Sequence, residues 1–129
     1  MLKKTITYDD FDGNSRTQDF YFNLTEQEVA ELEIVTPGGF ESYVNKIVGA
    51  KSQVELIDLF KRLIHMSYGE KSADGIHFHK SEAIWENFAS TQAYSDLYME
   101  LVTNTDKAIE FFNGIIPKKK QDLVVADNK

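Results

Sequence analysis

Two stretches of alternating apolar residues face each other across a turn at the start of the chain. Leu2, Ile6 and Tyr8 fall on one face of an extended segment, and Phe20, Phe22 and Leu24 on one face of its return. Between them, Asp10-Phe11-Asp12-Gly13-Asn14 has the composition of a turn, because Gly and Asn tolerate positive φ. The pattern predicts a β-hairpin. A lone hairpin is marginal in water, so the rest of the chain must supply the apolar surface that covers it. That requirement constrains the fold more than any other feature, since most of the chain beyond Leu24 has helical spacing.

Thr25-Glu26-Gln27-Glu28 is a capping box: the Thr25 hydroxyl satisfies an orphan amide while Glu28 reaches back, with Leu24 and Val29 at staple positions. It predicts a helix from Glu26 to about Glu33, broken by Thr36-Pro37-Gly38-Gly39. Phe40, Tyr43, Val44, Ile47 and Val48 then form one apolar stripe at helical spacing, which Gly49 should end. Ser52 and Glu55 read as another capping box, opening a helix over 53–68. Its apolar residues (Val54, Leu56, Ile57, Leu59, Phe60, Leu63, Ile64, Met66) lie on most sides, so a central, mostly buried helix is expected. Tyr68–Gly75 reads as a polar loop, and Ile76-His77-Phe78-His79 as a short strand that could be the hairpin's third partner.

Three further helices are expected. Ser81 caps one that carries Ile84, Trp85 and Phe88. The next carries Tyr94, Leu97, Tyr98, Leu101 and Val102. Thr103-Asn104-Thr105 caps the last, with Ala108, Ile109, Phe111 and Phe112; Gly114 and Pro117 should close it. The fold class is therefore α+β, with an N-terminal β-hairpin or small three-stranded antiparallel sheet packed on five or six short α-helices. Residues 1–117 form a single globular domain, and 118–129 a polar tail expected to be mobile, because it has no apolar periodicity to bury.

Composition removes several function classes. With no cysteine among 129 residues, disulfides, thiolate zinc sites and cysteine nucleophiles are impossible. No apolar run approaches the roughly 20 residues of a membrane span, and the first residues lack the apolar core of a signal peptide. There are 14 basic and 21 acidic residues, for a net charge of −7. Four of the lysines and two of the aspartates lie beyond Ile116, which leaves the body with 10 basic and 19 acidic residues. Such a body repels nucleic acid and anionic membranes and leaves a basic or polar protein as the open partner class.

Catalytic signatures are missing. His77 and His79 share one side of an extended segment, and His65 with Glu70 or Asp74 would complete a metal set, but the spacing matches no zinc motif. The carboxylate pairs sit in turns and helix first turns, where acids are favourable anyway. Thr36-Pro37-Gly38-Gly39 leads into a helix N-terminus that could hold an anion, but it lacks the Lys of a phosphate loop. No enzyme, metal or cofactor is expected. Phe111 and Phe112 are about 100° apart on a helix; either one is exposed to a partner or a second copy, or Ile115 and Ile116 fold back to cover it.

Several segments, in order, carry a resemblance: Phe20-Tyr21-Phe22-Asn23-Leu24-Thr25-Glu26, Thr36-Pro37-Gly38-Gly39, Ser67-Tyr68-Gly69-Glu70-Lys71-Ser72, Ala93-Tyr94-Ser95-Asp96-Leu97-Tyr98, and Phe112-Asn113-Gly114-Ile115-Ile116-Pro117. The chain resembles small tail assembly chaperones of long-tailed phages and prophages of Gram-positive bacteria. The resemblance implies a non-enzymatic role in the host cytoplasm: binding the tape-measure protein, keeping it soluble and helping to recruit tail-tube subunits, with a homo-oligomer possible. It also implies a longer frameshifted product, for which the codons of Pro117-Lys118-Lys119-Lys120 would be a slippery site. The alternative is a structural minor tail or connector protein of the virion. The residues expected to meet a partner are Tyr94, Tyr98, Phe111, Phe112, Ile115 and Ile116.

Overall fold

A computed structural model describes residues 1–50 and 52–117, so the expected tail lies outside the described residues. The chain order is β1 (Leu2–Asp9), β2 (Ser15–Phe22), α1 (Glu26–Val35), α2 (Phe40–Ala50), α3 (Gln53–Ser67), β3 (Tyr68–Lys71), β4 (Phe78–His79), α4 (Glu82–Ala89), α5 (Gln92–Thr103) and α6 (Thr105–Ile115). The strands form an antiparallel sheet in the order β1-β2-β3-β4. Its inner face meets the helices, as the α+β reading requires.

The hairpin forms as its alternation predicts. Leu2 stands opposite Phe22 and Asp9 opposite Ser15, and Tyr8, Phe20 and Phe22 turn toward the core with Leu2 and Ile6. The Asp10 carboxylate ties the turn by accepting the Asp12 and Asn14 amides and Nε of Arg16. The Arg16 bond, foremost, holds the Asp10 carboxyl below its ordinary pKa. Phe22, fully buried, packs its ring against Tyr68, Phe88 and Phe111. The hairpin's apolar face is thus closed by β3, α4 and α6.

The Thr25 capping box is present with both of its bonds. Ser52, by contrast, stands at the N-cap of α3 without a side-chain cap bond. Nor is α3 mostly buried, contrary to the expectation from its composition: five of its 15 residues are. It turns Leu59, Phe60, Leu63 and Ile64 inward, while Val54 and Ile57 are exposed. The expected polar loop is also corrected. Tyr68–Lys71 is a strand, with Tyr68 opposite Phe22 and Gly69 opposite Tyr21. The Phe78–His79 strand exists but pairs with β3, so it is the fourth strand and not the hairpin's third.

Two glycines expected to end helices lie inside them. Gly49 is within α2 and Gly114 within α6, whose C-cap is Ile116. At Gly114 a β-carbon would come within 2.9 Å of the Leu2 side chain, so its small size lets α6 approach β1. Between α1 and α2, Gly39 has φ +91° and sits against the Glu33 carboxylate. That carboxylate accepts the Phe40 and Glu41 amides, both at 3.1 Å. The anion that this helix N-terminus could hold is supplied by the chain itself, across the sharp turn between the two helices.

Candidate protein-binding surface

The residues expected to meet a partner fall into three settings. The first is the core. Phe111 is 3% exposed and stacks edge-on to Phe22 at 5.2 Å. Ile115 is fully buried, and its carbonyl accepts the Leu24 amide at 2.8 Å. Phe112 points the other way, with its ring 6.3 Å from Phe40 of α2. Adjacent residues on a helix diverge by about 100°, and α6 can bury both because it lies between β1 and α2. The expectation that one of the two phenylalanines is exposed is corrected: both are buried, in a core that Ile115 joins and Ile116 packs against.

The second setting is a groove of about 290 Å³ between α2, α3 and α6. Val44, Val48, Phe60, Leu63 and Phe112 contribute apolar surface, Glu41, Asn45 and Asn113 polar surface, and Ile109 stands beside them 44% exposed. Phe112 thus belongs to the core and to the groove at once. Ile109 is not among the residues that the sequence singles out for a partner. Its place three residues before Phe112 on the same helix is the signal available, because i and i+3 share a face.

The third setting is a half-buried aromatic band. The His65 ring stacks on Trp85 at 4.4 Å and 14°, Trp85 meets Tyr94 edge-on at 5.4 Å, and Tyr94 lies 6.3 Å from Tyr98. Ala93, Leu97 and Leu101 take the inward face of α5, which leaves Tyr94 and Tyr98 on its shoulder. Burial, with the neighbouring Tyr98, pushes the Tyr94 phenol above its ordinary pKa, so it is neutral at pH 7. Ile116 is half-buried and packs against the core.

His65 bonds Glu82 at 3.2 Å and stacks on Trp85, while the His77 and His79 rings lie together on the sheet, 5.5 Å apart. Among the described residues, no three histidines or carboxylates converge on a metal-sized site, and no helix is long and apolar enough to cross a membrane.

The fold is α+β, and its surface carries a groove between α2, α3 and α6 and a half-buried aromatic band. The model of a family described as phage tail assembly chaperone matches residues 1–127, and the chain belongs to that family. No curated protein and no solved structure matches it.

Proposed function

We propose that the protein is a non-enzymatic chaperone that binds the phage tape-measure protein in the host cytoplasm. It keeps that long partner soluble and helps bring tail-tube subunits to it. The observation that carries this reading is membership of the tail assembly chaperone family over nearly the whole chain. The surface is compatible with it. A groove with an apolar floor and polar walls suits one face of an amphipathic helix, and half-buried Tyr94 and Tyr98 provide rigid contact area at low entropic cost. An acidic body keeps such a protein soluble while it displays apolar surface. In this proposal Phe112 acts from the groove floor, Tyr94, Tyr98 and Ile116 act from the surface, and Phe111 and Ile115 support them from the core.

The test is co-expression with the tape-measure protein of the same phage. Expected are co-purification and a clear rise in the soluble fraction of the partner. Absence of both, with the protein found instead in purified virions, would replace the chaperone by a structural tail subunit.

A further inference from the structure

β1 is the outermost strand of the sheet, and its pairing with β2 determines which of its backbone groups point away. Asp10 donates its amide to the Asn14 carbonyl at 2.8 Å, and the ladder runs from Asp9 opposite Ser15 to Leu2 opposite Phe22. Residues in an antiparallel ladder alternate between those that bond the partner strand and those that do not. Counting back from Asp10, the amides and carbonyls of Tyr8, Ile6, Lys4 and Leu2 point to β2. Those of Lys3, Thr5, Thr7 and Asp9 therefore point outward. The side chains agree: Thr5 Oγ1 lies 2.6 Å from Asp19, and Thr7 Oγ1 2.9 Å from Thr17, the close approach expected of non-hydrogen-bonded pairs. Among the described residues, none of these outward groups has a backbone partner.

We propose that β1 pairs antiparallel with β1 of a second copy of this chain, about a two-fold axis at Ile6, joining the two sheets into one. The sequence of the strand is complementary to itself in that register. With Ile6 opposite Ile6, Lys3 stands opposite Asp9 and Thr5 opposite Thr7. Opposite charges and paired threonines are favourable cross-strand neighbours. Every outward amide and carbonyl from Lys3 to Asp9 gains a partner. A shift of two residues one way sets Lys3 opposite Thr7, and the other way sets Asp9 opposite Thr5. Either shift breaks the ion pairs and leaves outward groups of the strand unmatched.

The side chains of Lys3, Thr5, Thr7 and Asp9 are all exposed and able to meet a second strand. An inward-pointing charge is one way to guard a sheet edge, but Lys4 is drawn onto Glu100 of α5 at 2.9 Å. The contact is isologous, so it closes at two copies. One strand pair is a small interface, so the dimer is weak and concentration-dependent.

Sedimentation equilibrium of the full chain, from micromolar to millimolar concentration, tests this. A reversible monomer–dimer equilibrium is expected. Asp9→Lys places two lysines opposite each other at both ends of the strand pair and weakens the dimer about tenfold. Global charge argues the other way, because this substitution lowers the net negative charge of an acidic protein. Lys3→Asp weakens the dimer similarly, and the double variant Lys3→Asp/Asp9→Lys restores it. Circular dichroism establishes that each variant is folded. A monomer across the whole range overturns the proposal, and so does a dimer whose constant ignores the charge swaps.

Discussion

The ammonium of Lys80 donates to the Asn23 carbonyl at 2.8 Å, to the Glu28 carboxylate at 2.8 Å and to the Met66 carbonyl at 2.9 Å. One side chain thereby ties the end of β2, the capping box of α1 and the end of α3, with all three of its donors used. Glu28 answers with its own bonds to the Thr25 amide and hydroxyl. Burial raises the Glu28 carboxyl pKa, but the Lys80 and Thr25 hydrogen bonds outweigh it, and the net direction is down. A carboxyl depressed in the folded state stabilises at pH values above its unfolded pKa, about 4.3 for Glu. It loses that contribution as pH falls through the lower folded value. Lys80→Met should cost about 1–3 kcal/mol at pH 7, because two carbonyls and a half-buried carboxylate lose their donor. Urea unfolding at pH 7 and pH 3 should show the gap between wild type and variant narrowing in acid. A gap equal at both pH values would remove Glu28 from the account.

At the scale of elements, the hairpin, the Thr25 box and the caps at Ser81 and Asn104 were legible because their causes are local. β3 was not. Tyr68-Gly69-Glu70-Lys71 has no alternation, and it becomes a strand because Tyr21 and Phe22 pair with it, a tertiary cause invisible within the segment. The exposed side of α3 was hidden for a related reason. With apolar residues on most sides, periodicity alone does not choose which of Val54, Ile57 or Leu63 faces the core. The cap that Glu33 provides for α2 crosses a turn and follows no short-range rule. Gly69 shows how tightly β3 is held. A β-carbon there would meet the Phe78 ring at 2.7 Å and the His79 carbonyl oxygen at 2.8 Å. A ring can rotate, but a backbone carbonyl within a paired strand yields little. Gly69→Ala should therefore destabilise by about 1–3 kcal/mol. At Gly114 the nearest atoms belong to the Leu2 side chain, which can shift, and alanine gains helix propensity of about 1 kcal/mol, so Gly114→Ala should be close to neutral. Thermal unfolding of the two variants measures the contrast. Equal effects would mean that the close approach at β3 is not what requires glycine.

For the whole molecule, the proposed function requires one small domain to hold a long partner and stay soluble. The described residues bury most of their large apolar side chains, yet Ile34 is 83% exposed, and Val35 and Ile109 also face solvent. Scattered exposed apolar residues are ordinary. Ile109 differs because it stands beside the groove floored by Phe112, and Tyr94 and Tyr98 differ because they continue a ring-on-ring band. Six residues read as a contact set thus separate into support and surface, a division that helical spacing alone did not provide. If the surface members, together with Ile109 beside the groove, contact the tape-measure protein, changing them should reduce its capture without unfolding the chaperone. Ile109→Asp puts a charge beside the groove, where an apolar partner face would have to desolvate it. Tyr94→Ala with Tyr98→Ala removes the band's phenols while leaving Leu97 and Leu101 in the core. Each variant should lower the amount of partner recovered by about tenfold, equivalent to about 1.4 kcal/mol, with the unfolding midpoint of the Ile109 variant unchanged. Phe112→Ala gives the necessary contrast, because it should lower both recovery and stability. Full recovery with Ile109→Asp would take the groove out of the interface, and full recovery with the tyrosine variant would take the band out. Losses that merely follow each variant's stability would show that the partner responds to the folded state as a whole.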